Sequence, residues 1–232
     1  MTSELRKKIW NFCREWVAPF LLIALVVTSF RSAIADWNDV PTGSMKPTIL
    51  EGDRIFVNKL AYDLKIPFTT WHVTEWSAPA RGDIVVFFSP EDGKRLVKRV
   101  IALPGDIVEL RDNMLYLNNL PLNYEPLEKE TIDQVEPDLQ SRCQFFCENL
   151  IGIKHPVMID PSRPAMRSFG PAEAPDNCYF MMGDNRDNSA DSRYFGFVER
   201  RRIVGRASRV ALSVDRNDYY LPRWDRFLRK LP

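Results

Sequence analysis

One uncharged apolar segment near the N-terminus divides this chain into unequal parts and limits what each can fold into. From Val17 to Phe30 the sequence carries no charge, and Ser32-Ala33-Ile34-Ala35 extends it past Arg31. A helix needs roughly 20 residues to cross a bilayer core. The uncharged run is shorter, but Arg31 can snorkel toward the headgroups, and Trp10, Trp16 and Trp37 fall where interfacial aromatics collect. The pattern predicts one transmembrane anchor over residues 16–36. Arg6, Lys7, Lys8 and Arg14 lie on its N-terminal side. The positive-inside rule therefore puts residues 1–15 in the cytoplasm and residues 37–232 in an exported domain. A cleavable secretory signal is the competing reading, because Ala33-Ile34-Ala35 also fits a small-x-small cleavage pattern. Both readings export the remainder; they differ in whether it stays tethered.

The exported part has the makings of a mostly β, antiparallel domain. Short runs rich in β-branched and aromatic residues, Arg54 to Val57, Asp83 to Phe88, Leu96 to Ile101 and Ile203 to Val214, are separated by Gly, Pro, Asp and Asn. Arg111-Asp112-Asn113, between Ile107 to Leu110 and Met114 to Leu117, reads as a hairpin turn. From about residue 118 to 175 the composition shifts to Pro, Glu, Asp and Asn with weak periodicity, which suggests an inserted smaller subdomain. Phe68, Trp71 and Trp76 sit in a stretch with few charges, suited either to a membrane interface or to a hairpin folded onto the core. Trp224, Phe227 and Leu228, among Arg223, Arg226 and Arg229, allow either a basic amphipathic end or a docked terminus. With 45% hydrophobic residues the 232-residue chain can bury one sizeable core. A net charge of +1, with basic residues scattered, argues against a nucleic-acid partner.

Of four cysteines, Cys13 falls on the cytoplasmic side and Cys178 reads as a small buried hydrophobe. Cys143 and Cys147 would lie in an oxidising compartment, which leaves a disulfide between them open. His72 and His155, the two histidines, pair with no cysteine at finger-like spacing, so a zinc site is not expected.

Two side chains in unusual local settings carry the chemistry. Ser44 lies in Pro41-Thr42-Gly43-Ser44-Met45-Lys46-Pro47-Thr48, and Lys98 opens Lys98-Arg99-Val100-Ile101-Ala102-Leu103-Pro104-Gly105-Asp106. A serine hydroxyl needs a positioned base, and neither histidine has flanking catalytic sequence. A lysine can serve if desolvation disfavours its charged form. In a strand Lys98 shares a face with Leu96 and Val100 while Arg99 points to the other. Gly43 lets the backbone approach a substrate carbonyl, and the Ser44 amide with the Thr42 hydroxyl can form an oxyanion hole. A third segment, Gly183-Asp184-Asn185-Arg186-Asp187-Asn188-Ser189-Ala190-Asp191-Ser192-Arg193, fails the spacing of a calcium loop, since the sixth position from Asp187 is Ser192. It reads instead as a paired polar network of Asp184, Arg186, Asp187, Asp191 and Arg193, with the Ser189 hydroxyl free to orient a lysine amine.

These three segments, together with Arg81-Gly82-Asp83-Ile84-Val85-Val86-Phe87, resemble in order and wording the motifs of the bacterial type I signal peptidases. The resemblance covers most of the chain after the apolar segment. It implies Ser44 as nucleophile, Lys98 as general base, Ser189 as the hydroxyl that positions Lys98, and Thr42 as an oxyanion donor beside the Ser44 amide. Thr42 stands where the more familiar residue is serine, and its hydroxyl can do the same work. The implied reaction is hydrolysis of exported preproteins after a small-x-small motif through an acyl-enzyme, without a metal or organic cofactor. Shallow apolar pockets would select small side chains, with Val40, Met45, Ile49 and Val97 the candidates nearest the motifs. The implied setting is the inner (plasma) membrane, with the catalytic domain on the extracytoplasmic side and a monomer as the default state. A Ser-Lys peptidase with a narrower client and a membrane-tethered scaffold without activity are the alternatives.

Overall fold

The computed structural model describes residues 2–69, 71–216 and 218–232. The chain begins with helix α1 (Thr2–Phe12), passes through a π-helical turn (Cys13–Val17) and continues as α2 (Ala18–Ala33). Pro19 has no N–H to offer the carbonyl four residues back, and the helix widens just before it. Glu4–Ala33 is long and apolar enough to cross a membrane, and almost none of it is buried in the protein. Phe20 is 70% exposed and Leu22 62%, so nothing in the fold covers this face. The helix ends at Ala33 and a strand starts at Ala35. Residues 35 and 36, assigned by the sequence to the anchor, therefore belong to the sheet.

The strands follow as β1 (Ala35–Asp39), β2 (Asp53–Asn58), β3 (Asp63–Lys65), β4 (His72–Glu75), β5 (Ile84–Phe88), β6 (Arg95–Ala102), β7 (Ile107–Arg111) and β8 (Met114–Leu117). After them come β9 (Leu120–Pro121), β10 (Asn123–Pro126), β11 (Gln144–Leu150), β12 (Ile153–Ile159), β13 (Phe169–Glu173), β14 (Cys178–Met182), β15 (Val198–Glu199), β16 (Ile203–Asp215) and β17 (Leu221–Pro222). The largest sheet has the order β1-β2-β16-β5-β6-β14-β15, with β17 on β16, and its pairings are antiparallel. All four expected β runs lie in this sheet.

Strand β5 shows why the sheet is stable. Ile84 and Val86 join one apolar cluster with Val40, Met45, Ile49, Ile55 and Val57. Val85 and Phe87 join another, with Tyr62, Val100, Met181 and Ile203. Alternation along the strand thus feeds a core on both faces, and each such side chain contributes about 1.5–3 kcal/mol by leaving water. The β7–β8 turn has Asp112 at φ 48° and Asn113 at φ 66°, the left-handed pair that a two-residue hairpin requires.

The 118–175 region divides in two. Strands β10, β11 and β12 form a sheet of their own, with helices α3 (Lys129–Ile132) and α4 (Pro137–Arg142) between β10 and β11. Strand β9 and strand β13 instead complete a β13-β7-β8-β9 sheet. Leu122 and Leu150 pack with Ile101, Val108 and Phe180, which joins the region to the ends of β6 and β14.

Cys143 and Cys147 are free. Four residues of extended chain separate their α-carbons by roughly 13 Å, well beyond disulfide reach. The β3–β4 hairpin does not fold its rings inward: Phe68 is 65%, Trp71 72% and Trp76 54% exposed. The C-terminus forms a short 3-10 turn (Trp224–Arg226) rather than an amphipathic helix. It is docked by Arg226, whose guanidinium lies 2.5 Å from Asp53, and by a bridge from Lys230 to Arg209.

Candidate active site

Ser44 lies in a 3-10 turn (Gly43–Met45) between β1 and β2. The segment after β14 clamps this turn. Asn185 donates from Nδ2 to the Gly43 carbonyl at 3.0 Å and from its backbone N–H to the Ser44 carbonyl at 3.1 Å. Gly183 makes the approach possible, because a β-carbon there would stand 2.4 Å from the Ser44 carbonyl oxygen and 2.3 Å from Ser189 Oγ. Lys98 arrives from β6, 3% exposed, with Nζ 2.7 Å from Ser44 Oγ and 3.0 Å from the Val97 carbonyl. Burial pushes its amine down to about 8, against the pull of Asp191 and Asp184 toward the charged form. Near neutral pH, an amine so placed is in part an acceptor for the serine proton.

A groove of about 310 Å³ opens over this pair, with Val40 and Thr42 on Ser44's side and Leu96 and Val97 beside Lys98. Of the four predicted pocket residues, Val40 and Val97 line it. Met45 and Ile49 do not; both are wholly buried in the cluster beneath. Three residues per turn carry Met45 inward while Ser44 faces the groove, and Ile49 bonds back to the Met45 carbonyl on the inner side. Asn38, Leu96 and Arg95 also line the groove, which their place in the sequence does not signal.

Thr42 is exposed, extended and on the groove wall next to Ser44, where its hydroxyl can face a bound carbonyl. Ser189 departs from expectation. Its hydroxyl is buried and has no hydrogen-bond partner, while the amine of Lys98 is held by Ser44 and by the Val97 carbonyl. The 3-10 turn Arg186–Asn188 delivers Ser189 over Gly183 instead.

The five-residue polar network is also differently wired. Within the loop Asp191 and Arg193 form an ion pair at 2.8 Å, and Arg193 also donates to the Arg186 carbonyl at 2.5 Å. Asp184 takes both ends of the Arg99 guanidinium at 2.9 and 2.8 Å and accepts from Thr48. Arg186 reaches Glu148 on β11 at 2.7 Å, and Asp187 is met by Asn113 and Arg167. Arg99 is therefore turned not to solvent but into a buried ion pair. His155 is enclosed between Glu148 at 3.0 Å and Asp184 at 3.5 Å. Burial raises the carboxyls of Glu148 and Asp184, but Arg186 beside the first and Arg99 beside the second, with His155, hold both well below the usual range. A partner contributed by a distant strand leaves no local trace, so the sequence could reveal that these residues pair but not with whom.

A hydroxyl set against an amine that burial keeps near neutrality is equipment for attack on a carbonyl, and the class so defined is a serine-type peptidase. Residues 13–212 match the family described as "Signal peptidase, peptidase S26". The chain is 37% identical over 211 residues to a signal peptidase I of Pseudomonas fluorescens, covering 86% of this chain and 72% of that one. It is 33% identical over 218 residues to signal peptidase I P of Bacillus subtilis subsp. natto, covering 92% and 96%. A solved signal peptidase I of Enterococcus faecalis is 32% identical and covers 57% of this chain and 98% of that one, with a TM-score of 0.36. The chain belongs to the signal peptidase family.

Proposed function

We propose that this protein removes N-terminal signal peptides from exported preproteins, cutting after a small-x-small motif with Ser44 as nucleophile and Lys98 as general base. The observation that carries this reading is the 2.7 Å separation of Lys98 Nζ and Ser44 Oγ, with the amine buried. Neutral Lys98 takes the Ser44 proton as Oγ bonds to the scissile carbonyl carbon. The resulting oxyanion accepts hydrogen bonds from the Ser44 amide, at the start of its turn, and from the Thr42 hydroxyl. Lys98, now an ammonium, returns the proton to the leaving amine, and the mature protein departs. That leaves the signal peptide esterified to Ser44. Lys98 then takes a proton from a water as it attacks the ester and passes it to Ser44 Oγ as the acyl–oxygen bond breaks, and the signal peptide leaves with a new carboxylate.

The Val97 carbonyl supports the orientation of the amine, the role first assigned to Ser189. Val40, Leu96 and Val97 suit a wall that admits small side chains. The apolar helix supports membrane anchoring with a cytoplasmic N-terminus and an extracytoplasmic sheet, in which the site meets cleavage sites as they emerge. Because one chain supplies both Ser44 and Lys98, a monomer suffices.

The test is cleavage of a purified preprotein with an Ala-x-Ala site by the detergent-solubilised protein, beside Ser44→Ala, Lys98→Met and His155→Ala. Wild type and the histidine variant are expected to cut and the other two to be inactive. Unimpaired cutting by Lys98→Met would remove the lysine base.

A further inference from the structure

A second cavity, of about 500 Å³, lies beside the C-terminal end of α2, and five of its twelve described lining residues are cations. Lys59, Lys65, Arg95, Arg201 and Arg202 line it, and none of its described lining residues is Asp or Glu. The nearest acids are each shared among several cations: Asp36 among Arg31, Lys59 and Arg95, and Asp63 between Arg200 and Lys65, while Glu199 pairs with Arg201, so that of the five Arg202 is the one with no carboxylate partner among the described residues. The two lysines are fixed in place. Lys59 caps the helix end through the carbonyls of Arg31 and Ser32, and Lys65 bonds the carbonyl of Ile203. Burial pushes both amines below their ordinary values, so an anion at the mouth of the cavity would favour their charged forms. Arg202 is different. Its Nη1 donates to the Ser89 carbonyl at 3.4 Å, and its Nε is buried without a partner among the described residues. A donor left unmet in a basic cavity is the feature an oxyanion would complete.

Two neighbours narrow the class of anion. An apolar trough between α2 and the β3–β4 hairpin, lined by Val26, Phe30, Ile34, Leu64, Ile66 and Val73, shares Lys65 with the cavity. Phe68 and Trp71, both exposed, sit on the cavity wall, and the Phe68 N–H is tied to the Ser32 hydroxyl at the end of α2. A cationic cup, an aromatic rim and an apolar trough beside a membrane-length helix match one molecule in order: phosphate head, interface and acyl chain. We propose that this cavity binds the phosphate of an anionic phospholipid whose acyl chain lies in the trough between α2 and the hairpin. Through Arg95, which also lines the groove over Ser44, the lipid would sit against the substrate path.

The experiment uses full-length Ser44→Ala protein, so that its outcome is independent of whether the proposed chemistry is right. The detergent-solubilised protein is equilibrated with equal amounts of phosphatidylglycerol and phosphatidylcholine, and retained lipid is read by native mass spectrometry. Phosphatidylglycerol is expected to be retained preferentially. Arg202→Gln should lower that preference about fivefold, as for one basic residue near an anionic surface. Arg202→Lys should keep most of it, and Lys154→Gln, on an exposed residue of β12, should leave it alone. Should Arg202→Gln fail to fold, Arg201→Gln at the cavity rim gives a second reading in the same direction. No preference for the anionic lipid, or one that survives loss of these charges, overturns the proposal. Displacement of the lipid by an equal concentration of inorganic phosphate also overturns it, because the site would then take a free oxyanion. So does a result in which Arg202→Gln, with Ser44 restored, leaves lipid retention intact but raises KM for a preprotein bearing Asp or Glu just after its cleavage site.

Discussion

In the proposed mechanism, activity and stability both turn on Lys98. Its amine titrates at about 8 in the folded protein against an ordinary 10.5. As the proposed base must be neutral, kcat/KM should rise about tenfold per pH unit below about 8 and level off above it. The stability effect has a definite sign. Between about 8 and 10.5 the unfolded chain holds the proton and the folded chain does not, so stability rises with pH across that window. Below it both states are charged, and the folded state carries the full penalty of a buried ammonium, about 3 kcal/mol. Lys98→Met should therefore lose activity yet gain up to about 3 kcal/mol at pH 7, with the gain shrinking at pH 10.5. Thermal melts at the two pH values check this, and an equal gain at both would mean that the charge is not what burial penalises. Asn185→Ala should lower kcat by roughly 10- to 100-fold at nearly constant KM, because it removes the side-chain bond to the Gly43 carbonyl and loosens the turn that carries Ser44 without touching the groove. Ser44 and Lys98 are singled out by their motifs taken together and by the family resemblance, and the structure brings them within 2.7 Å. Asn185 is not, since its role depends on contacts to a turn 142 residues away, and Met45 and Ile49 were misplaced because adjacency in sequence says nothing of which side of a turn faces out.

At the scale of elements, the decisive joint is between the end of β14 and its neighbours β6 and the serine turn. Gly183→Ala would drive a methyl to 2.4 Å from the Ser44 carbonyl, backbone that cannot swing aside. Activity should fall at least tenfold and stability by roughly 1–3 kcal/mol, measured on the same preparation. Asp184→Asn leaves the buried Arg99 charge unanswered and should cost about 3–5 kcal/mol in denaturant unfolding. If Asp184→Asn proved nearly neutral, Arg99 would have to be compensated by its other acceptors, the Gly82 and Pro232 carbonyls. The strands themselves were legible, as was the Asp112-Asn113 turn, because period and turn chemistry are local properties. The bounds of the inserted region were not. Strand β13 leaves it to pair with β7, a ladder between residues about 60 apart that no local composition announces.

For the whole molecule, the question is how an anchor and a sheet act as one body. A single residue, Ile34, separates α2 from β1, and its N–H still bonds the Phe30 carbonyl in the helix. Lys59, at the end of β2, holds the last carbonyls of α2, and the hairpin tip bonds Ser32. The joint is thus braced from three sides, and the height of Ser44 relative to the helix end is set by the fold rather than by a tether. If the helix is the anchor proposed above, that height is matched to a cleavage site emerging from the bilayer. Inserting six Gly/Ser residues after Ile34 adds a flexible reach of roughly 13 Å while leaving the groove, Ser44 and Lys98 as they are. Cleavage of a soluble Ala-x-Ala peptide should then stay within about twofold of wild type, because the chemistry is untouched. Cleavage of a membrane-embedded preprotein in reconstituted vesicles should fall about tenfold, since the effective concentration that the fixed height provides is diluted over the longer reach. Equal losses on both substrates would place the effect in a disturbed sheet, and no loss on either would show that tethering alone, without a set height, is enough.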